Sequence, residues 1–132
     1  MKKILIIDDE EWLREMMLLA LRQRGFDVVE APNGATGIEL ARKELPDLIL
    51  CDVNLETSTM GGFAFYERVR EMDRLQETPF IFLSGLTDEA LVRTGKELGV
   101  DDYLSKPISG ETLIATIKGK LRRYSQLKKR MN

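Results

Sequence analysis

The chain has 132 residues, 43% of them hydrophobic and 32% charged, with a formal net charge of −2, one cysteine and no histidine. That length suits one domain with a real core, and no run approaches the ~20 apolar residues needed to cross a bilayer. Without histidine, a zinc site or a histidine-based catalytic triad loses its usual parts, and Cys51 alone makes no internal disulfide. The expectation is a single soluble, cytoplasmic domain over residues 1–132 that neither enters a membrane nor contacts nucleic acid itself. The charge is uneven: residues 118–132 hold seven of the 20 basic residues and no acid, leaving the first 117 at −9. A basic segment at the end of a helix suits the negative end of its dipole.

The first apolar run, Ile4 to Ile7, has strand length and is followed by a segment in which Leu13, Met17, Ala20 and Leu21 share one helical face. Val28 to Ala31 reads as a second strand, followed by a helix with Ile38, Ala41 and Leu45 inward. Leu48 to Cys51 is a third, followed by Phe65, Val69 and Met72 on one face. Phe80 to Leu83 is a fourth, followed by Leu91, Thr94 and Leu98. Tyr103-Leu104 is a weaker fifth, followed by a helix over about 109–130 with Leu113, Ile117, Leu121 and Tyr124 inward. Gly25 and Gly99 suit helix C-terminal stops, and Asn33, Thr87 and Ser109 suit N-caps. Pro46 and Pro79 sit just before strands, where a helix cannot continue. Strands alternating with helices imply parallel pairing through right-handed crossovers, and continuous apolar strands imply burial on both faces. The fold expected is a doubly wound α/β sheet of five parallel strands in the order 2-1-3-4-5.

In such sheets ligands bind beyond the carboxyl ends of the strands, where the strand order reverses. Strand one ends in Asp8-Asp9-Glu10, strand three in Asp52, strand four in Ser84-Gly85 and strand five in Ser105-Lys106-Pro107. With strands one and three adjacent, Asp8, Asp9 and Asp52 converge. At ~4 Å and an effective dielectric near 20, each anion pair costs about 4 kcal/mol, so the crevice should take up protons or a cation. Mg²⁺, with Mn²⁺ as a substitute, fits an oxygen-only donor set that leaves room for water and a phosphoryl oxygen. A carboxylate there could attack a phosphoryl group held by the metal, the Ser84 hydroxyl and the Lys106 ammonium. Each piece alone has a bland reading: first-turn helix charge, a turn aspartate, a loop hydroxyl, a surface lysine. Four strand ends carrying the right group in the right order are more specific. Cys51, inside an apolar strand, reads as a small core side chain.

On these residues the sequence resembles the receiver domain of bacterial two-component response regulators, along nearly its whole length. The family pattern is an acidic pair after strand one, a phosphoacceptor aspartate after strand three, a Ser or Thr after strand four and Lys-Pro after strand five. The matching residues are Asp8 and Asp9, Asp52, Ser84, and Lys106-Pro107. The resemblance implies that Asp52 accepts a phosphoryl group from a sensor histidine kinase or histidine phosphotransfer protein. It implies that Asn54 gives its backbone carbonyl to the metal beside Asp8, Asp9 and Asp52, that the Lys106-Pro107 bond can be cis, and that Tyr103 is an aromatic switch beside Ser84. Phosphorylation would alter the face of helix four, strand five and helix five, for a downstream output protein or domain or for a second copy of the chain. The protein would be a signalling switch that catalyses its own phosphorylation and dephosphorylation, not a turnover enzyme.

The sequence departs from the family pattern in two places. Glu56 and Met60 stand where receivers commonly carry proline and glycine, so the loop Asn54 to Gly61 reads as about two residues longer, with possible effects on metal access or phosphoryl lifetime. Leu86 cannot hydrogen-bond an attacking water, which favours a long-lived phosphoryl group. Too few residues follow the last helix for an output domain, so the expectation is a stand-alone receiver or a piece of a longer protein. Ile114, Ile117, Leu121 and Tyr124 fit a/d spacing for only two heptads, which favours a docked helix over a coiled coil. An aspartate-nucleophile phosphatase, a flavin- or nucleotide-binding module and a phosphorylation-incompetent scaffold remain alternatives. Asn54 in place of a second aspartate weighs against the first and the acidic triplet against the second.

Overall fold

A computed structural model describes residues 1–55, 60–85, 88–100 and 102–131. Thr87, Leu86 and the loop residues Glu56 to Thr59 lie outside the described residues, and with them the expectations placed on them. In chain order the elements are β1 (Lys3–Ile7), α1 (Glu11–Gln23), β2 (Asp27–Ala31), α2 (Gly34–Glu44), β3 (Leu48–Asp52), α3 (Gly62–Arg70), β4 (Phe80–Ser84), α4 (Glu89–Glu97), β5 (Tyr103–Ser105) and α5 (Gly110–Met131). The strands form one parallel sheet in the order β2-β1-β3-β4-β5, as expected.

Strand alternation divides the core in two. Ile4, Ile6, Leu48, Leu50, Ile81 and Leu83 face α1 and α5, meeting Leu13, Met17, Leu21, Leu113 and Ile117. Leu5, Ile7, Ile49, Cys51, Phe80 and Phe82 face the other way, toward Ile38, Ala41, Phe65 and Val69. Every residue of β3 and β4 is buried, as a strand covered on both faces requires. The second layer is rich in rings: Phe63 meets Phe82 edge-on at 5.3 Å, and Tyr66 meets Phe80 edge-on at 4.9 Å.

The caps behave as their chemistry dictates. Asn33 Oδ1 accepts the Thr36 N–H at 2.8 Å, and Ser109 Oγ accepts the Thr112 N–H at 3.1 Å. Gly25 and Gly99 take φ of +86° and +95°, the left-handed conformation that ends α1 and α4. Basic Lys128, Lys129 and Arg130 occupy the last turn of α5. Ile114 and Ile117 are buried and Leu121 and Tyr124 half-buried, so α5 is a docked helix along its first half.

Three side chains expected inside are exposed. Leu45 is the C-cap of α2 at φ +47° and is 37% exposed. Pro46 disfavours the right-handed region for the residue before it, so the helix ends at Leu45 and its side chain swings away. On α4, Thr94 and Leu98 are exposed and Leu91 and Val92 half-buried, while Gly95 is the buried position. The helix meets the core through Gly95 and Leu91, while Thr94 and Leu98 of the expected stripe face out. Among the described residues, no helix is long and apolar enough to cross a membrane.

Candidate functional site

The strand ends deliver the polar groups to one place because parallel strands finish on one edge of the sheet. Asp52 and Ser84 are the last residues of β3 and β4, and Asp8 follows β1 directly. Val53 N–H donates to the Leu83 carbonyl at 2.9 Å and Lys106 N–H to the Ser84 carbonyl at 2.7 Å, so the sheet pairing continues into the site. Helix α3 starts against the same backbone: a Cβ on Gly62 would stand 2.7 Å from the Asp52 carbonyl and 2.8 Å from that of Val53. Only glycine permits that approach.

Asp8 is fully buried, Asp52 is 4% exposed and Ser84 6% exposed. Asp8 Oδ1 accepts the Glu10 N–H at 2.9 Å, and Asp52 Oδ1 accepts the Asn54 N–H at 3.0 Å. Lys106 Nζ joins the acids, 2.9 Å from Asp52 Oδ2, 3.4 Å from Asp8 Oδ2 and 3.3 Å from Glu10 Oε1. The Lys106-Pro107 peptide bond is cis, as the resemblance implied. Burial pushes the Asp8 carboxyl up to about 6, against the Glu10 N–H and the charge of Lys106, which pull it down. Burial likewise raises Asp52, opposed by its hydrogen bond from Lys106, with Asp9 adding repulsion. Burial acts to lower Lys106, but the hydrogen bond to Asp52 and the charges around it outweigh that, and its pKa lies above the ordinary lysine value.

The geometry suits a hard cation. Carboxylate oxygens of Asp8, Glu10 and Asp52 lie within 4.8 Å of one another. Asp8 Oδ2, wholly buried, has no hydrogen-bond partner among the described residues; Lys106 faces it at 3.4 Å as an ion pair, which leaves room for a closer cation to satisfy the oxygen. Of the expected ligands, Asp8 and Asp52 meet directly. Asp9 is half-buried beside them, close enough to act on Asp52, and Asn54 follows Asp52 with its N–H on the carboxylate.

Two acids were not legible as site residues. Glu10 was read only as the end of the acidic triplet and given no role, yet it shares Lys106 and accepts from the Trp12 indole N–H at 3.2 Å. Asp88 is buried, and its carboxylate does not cap α4. It turns back instead, taking the Gly85 N–H on Oδ2 at 2.7 Å and the Asn54 Nδ2 on Oδ1 at 3.4 Å. That contact spans 34 residues, joining the segment after β4 to the one after β3. In the sequence an acid before a helix points only to a cap.

Residues 4–118 match the family model of the response regulator receiver domain. The chain belongs to the response-regulator receiver family. This receiver is 38% identical over 123 residues to the transcriptional regulatory protein AfsQ1 of Streptomyces coelicolor, covering 93% of the chain and 52% of AfsQ1. It is 37% identical over 121 residues to the transcriptional regulatory protein CseB of the same organism, covering 92% and 50%. The receiver thus spans about half the length of these relatives. Among solved structures it is similar to the chemotaxis protein CheY4 of Vibrio cholerae, with a TM-score of 0.82 and 32% identity over 91% of this chain and 98% of that one. A response regulator from Chloroflexus aurantiacus gives the same TM-score and identity, over 92% and 98%.

Tyr103 is half-buried on β5, stacked on Phe82 at 5.8 Å, with its hydroxyl 3.5 Å from the Val92 carbonyl. The ring occupies the room left by Gly95: a Cβ there would stand 1.9 Å from Tyr103 Oη and 2.7 Å from the Phe63 ring. Gly95→Ala is therefore expected to lower stability by about 1–3 kcal/mol through overpacking, although alanine in an open helix gains about 1 kcal/mol over glycine. Chemical denaturation monitored by circular dichroism gives the sign; a more stable variant would show that the ring does not fill that slot.

Proposed function

We propose that the chain is a phosphorylation switch in which Asp52 accepts a phosphoryl group from a histidine of a sensor kinase or phosphotransfer protein. The observation that supports it most is the buried Asp52 carboxylate at a strand end, with one oxygen on Lys106 and the Asp8 carboxylate beside it. In the step itself, Asp52 Oδ2 attacks phosphorus, the P–N bond to the donor imidazole breaks, and the nitrogen keeps the electron pair. The carboxylates of Asp8, Asp9 and Asp52 and the Asn54 carbonyl would hold Mg²⁺, which would supply charge neutralisation at the phosphoryl oxygens. Lys106 moves from the Asp52 carboxylate to the new phosphoryl group, and Ser84, the residue whose carbonyl receives the Lys106 N–H, adds its hydroxyl. Contacts made in only one state shift a two-state equilibrium, here carried outward through Tyr103 to the face of α4, β5 and α5. The chain acts as a cytoplasmic signalling switch rather than a turnover enzyme, coupled to an output protein or domain or to a second copy of itself.

An exposed apolar stripe on α1 lies beside the site: Trp12, Met16 and Leu19 are 65%, 42% and 58% exposed at helical spacing. It suits a helical partner bringing its phosphohistidine to Asp52. Leu19→Ala is expected to slow phosphotransfer from such a partner about tenfold or more, the loss of one good apolar anchor, while the rate from a small acyl phosphate is unchanged. Equal slowing with both donors would mean that Leu19 acts on the site rather than on docking. The proposal as a whole is tested by incubating the chain with a small acyl phosphate, with and without Mg²⁺. One phosphoryl adduct, lost in alkali as acyl phosphates are and absent under chelation, supports it; no adduct under either condition favours a protein-binding scaffold.

A further inference from the structure

Resting on that reading, we infer that Arg14 is a positioning residue for the cation site, acting through the backbone of Asp8. Arg14, on α1, is only 9% exposed, although arginine rarely lies so deep without a close anionic partner. Its one ion-pair partner among the described residues is a loose one: Nε stands 3.6 Å from Glu30 Oε1 on β2. Among the described residues, neither Arg14 Nε nor Glu30 Oε2 has a hydrogen-bond partner. A loose pair whose acid is 36% exposed contributes little to stability, so it gives no reason by itself for burying this guanidinium. Its short bond goes elsewhere: Nη1 donates to the Asp8 carbonyl at 2.7 Å.

That bond completes a set. The Asp8 N–H donates to the Ala31 carbonyl of β2 at 3.2 Å, and its carbonyl is taken by Arg14. Both backbone groups of Asp8 are thereby tied to β2 and α1. Asp8 Oδ1 is tied as well, by the Glu10 N–H, so Oδ2 is left aimed at Lys106 and Asp52. Glu30 sets the lateral position of Arg14 and Arg14 sets the backbone of Asp8. A ligand oxygen is worth its full value only when held in place beforehand.

Geometry and charge make opposite demands on the test. Removing a cation near an acidic crevice tightens Mg²⁺ binding by electrostatics alone, whereas losing the brace weakens it. Arg14→Met replaces the guanidinium with an apolar side chain that fills much of the same path. Calorimetric titration of the full chain with MgCl₂ is expected to show about tenfold weaker binding in Arg14→Met and near-native binding in Arg14→Lys, whose ammonium can reach the same carbonyl. With a small acyl phosphate, the half-saturating Mg²⁺ concentration should rise by the same factor and the rate at saturating Mg²⁺ should stay native. Circular dichroism checks folding, and Arg14→Gln takes the place of Arg14→Met, with the same outcomes, if the latter does not fold. Equal or tighter Mg²⁺ binding in the neutral variant, while the native chain binds the ion, overturns the brace and leaves the phosphorylation reading intact. If the native chain takes up no Mg²⁺, both fall together.

Discussion

Replacing Asp8 by asparagine is expected to stabilise the metal-free protein by about 1–3 kcal/mol at pH 7.5 while abolishing its affinity for Mg²⁺. Asp8 is fully buried, and its carboxyl is raised from an ordinary 3.8 to about 6 even with Lys106 at 3.4 Å. A carboxyl whose folded pKa lies above its unfolded one favours folding in its protonated form. That contribution is complete below about 3.8 and disappears as pH rises through about 6, leaving an unfavourable buried charge at neutrality. Asp52 is shifted in the same direction and adds to the trend. The native chain without divalent ion should therefore gain stability between pH 7.5 and 5, and Asp8→Asn should gain much less. Urea denaturation at several pH values, with and without Mg²⁺, reads both effects. A destabilised Asp8→Asn protein would mean that the Glu10 N–H and Lys106 more than compensate the carboxylate for its burial.

Lys106→Met is expected to act in the reverse sense on both quantities. Lys106 neutralises three carboxylates with its side chain 17% exposed, so its loss leaves Asp8 and Asp52 buried and uncompensated. Breaking such a pair from one side costs about 3–5 kcal/mol without metal. The deficit should shrink as pH falls, because the two carboxyls, already raised, take up protons more readily. Mg²⁺ binding should tighten, since the divalent ion no longer competes with an ammonium for the same oxygens. The phosphoryl adduct should still form at Asp52, because Lys106 is not the nucleophile. What should fail is the response of Tyr103, which spectroscopy of the ring would report. Weaker Mg²⁺ binding in Lys106→Met would show that the lysine shapes the site rather than competing for it.

The sheet was legible because its signals are local and strong. Apolar runs such as Leu48 to Cys51 placed each strand to within a residue or so at each end, and alternation with helices then left few topologies. The convergence at the candidate site was legible for the same reason: once the strand order is known, Asp8, Asp52 and Lys106 come together, with Ser84 at the end of the neighbouring strand. What periodicity could not give is the docking of α4: Leu91 packs on the core, but the buried position is Gly95, which a pattern of apolar side chains passes over, while Leu98 is exposed. The roles of Glu10, Arg14 and Asp88 were also hidden. Each is a charged residue near a helix start whose partner lies on another element or several residues back, a relation that linear spacing does not encode.

The most direct test of the switch is intact mass spectrometry of the native chain and Asp52→Asn after exposure to a small acyl phosphate with Mg²⁺. The expected result is a single phosphoryl adduct on the native chain and none on Asp52→Asn, with both proteins folded. An adduct that persists in Asp52→Asn would contradict the assignment of Asp52 as the acceptor, and no adduct on either would contradict the switch itself.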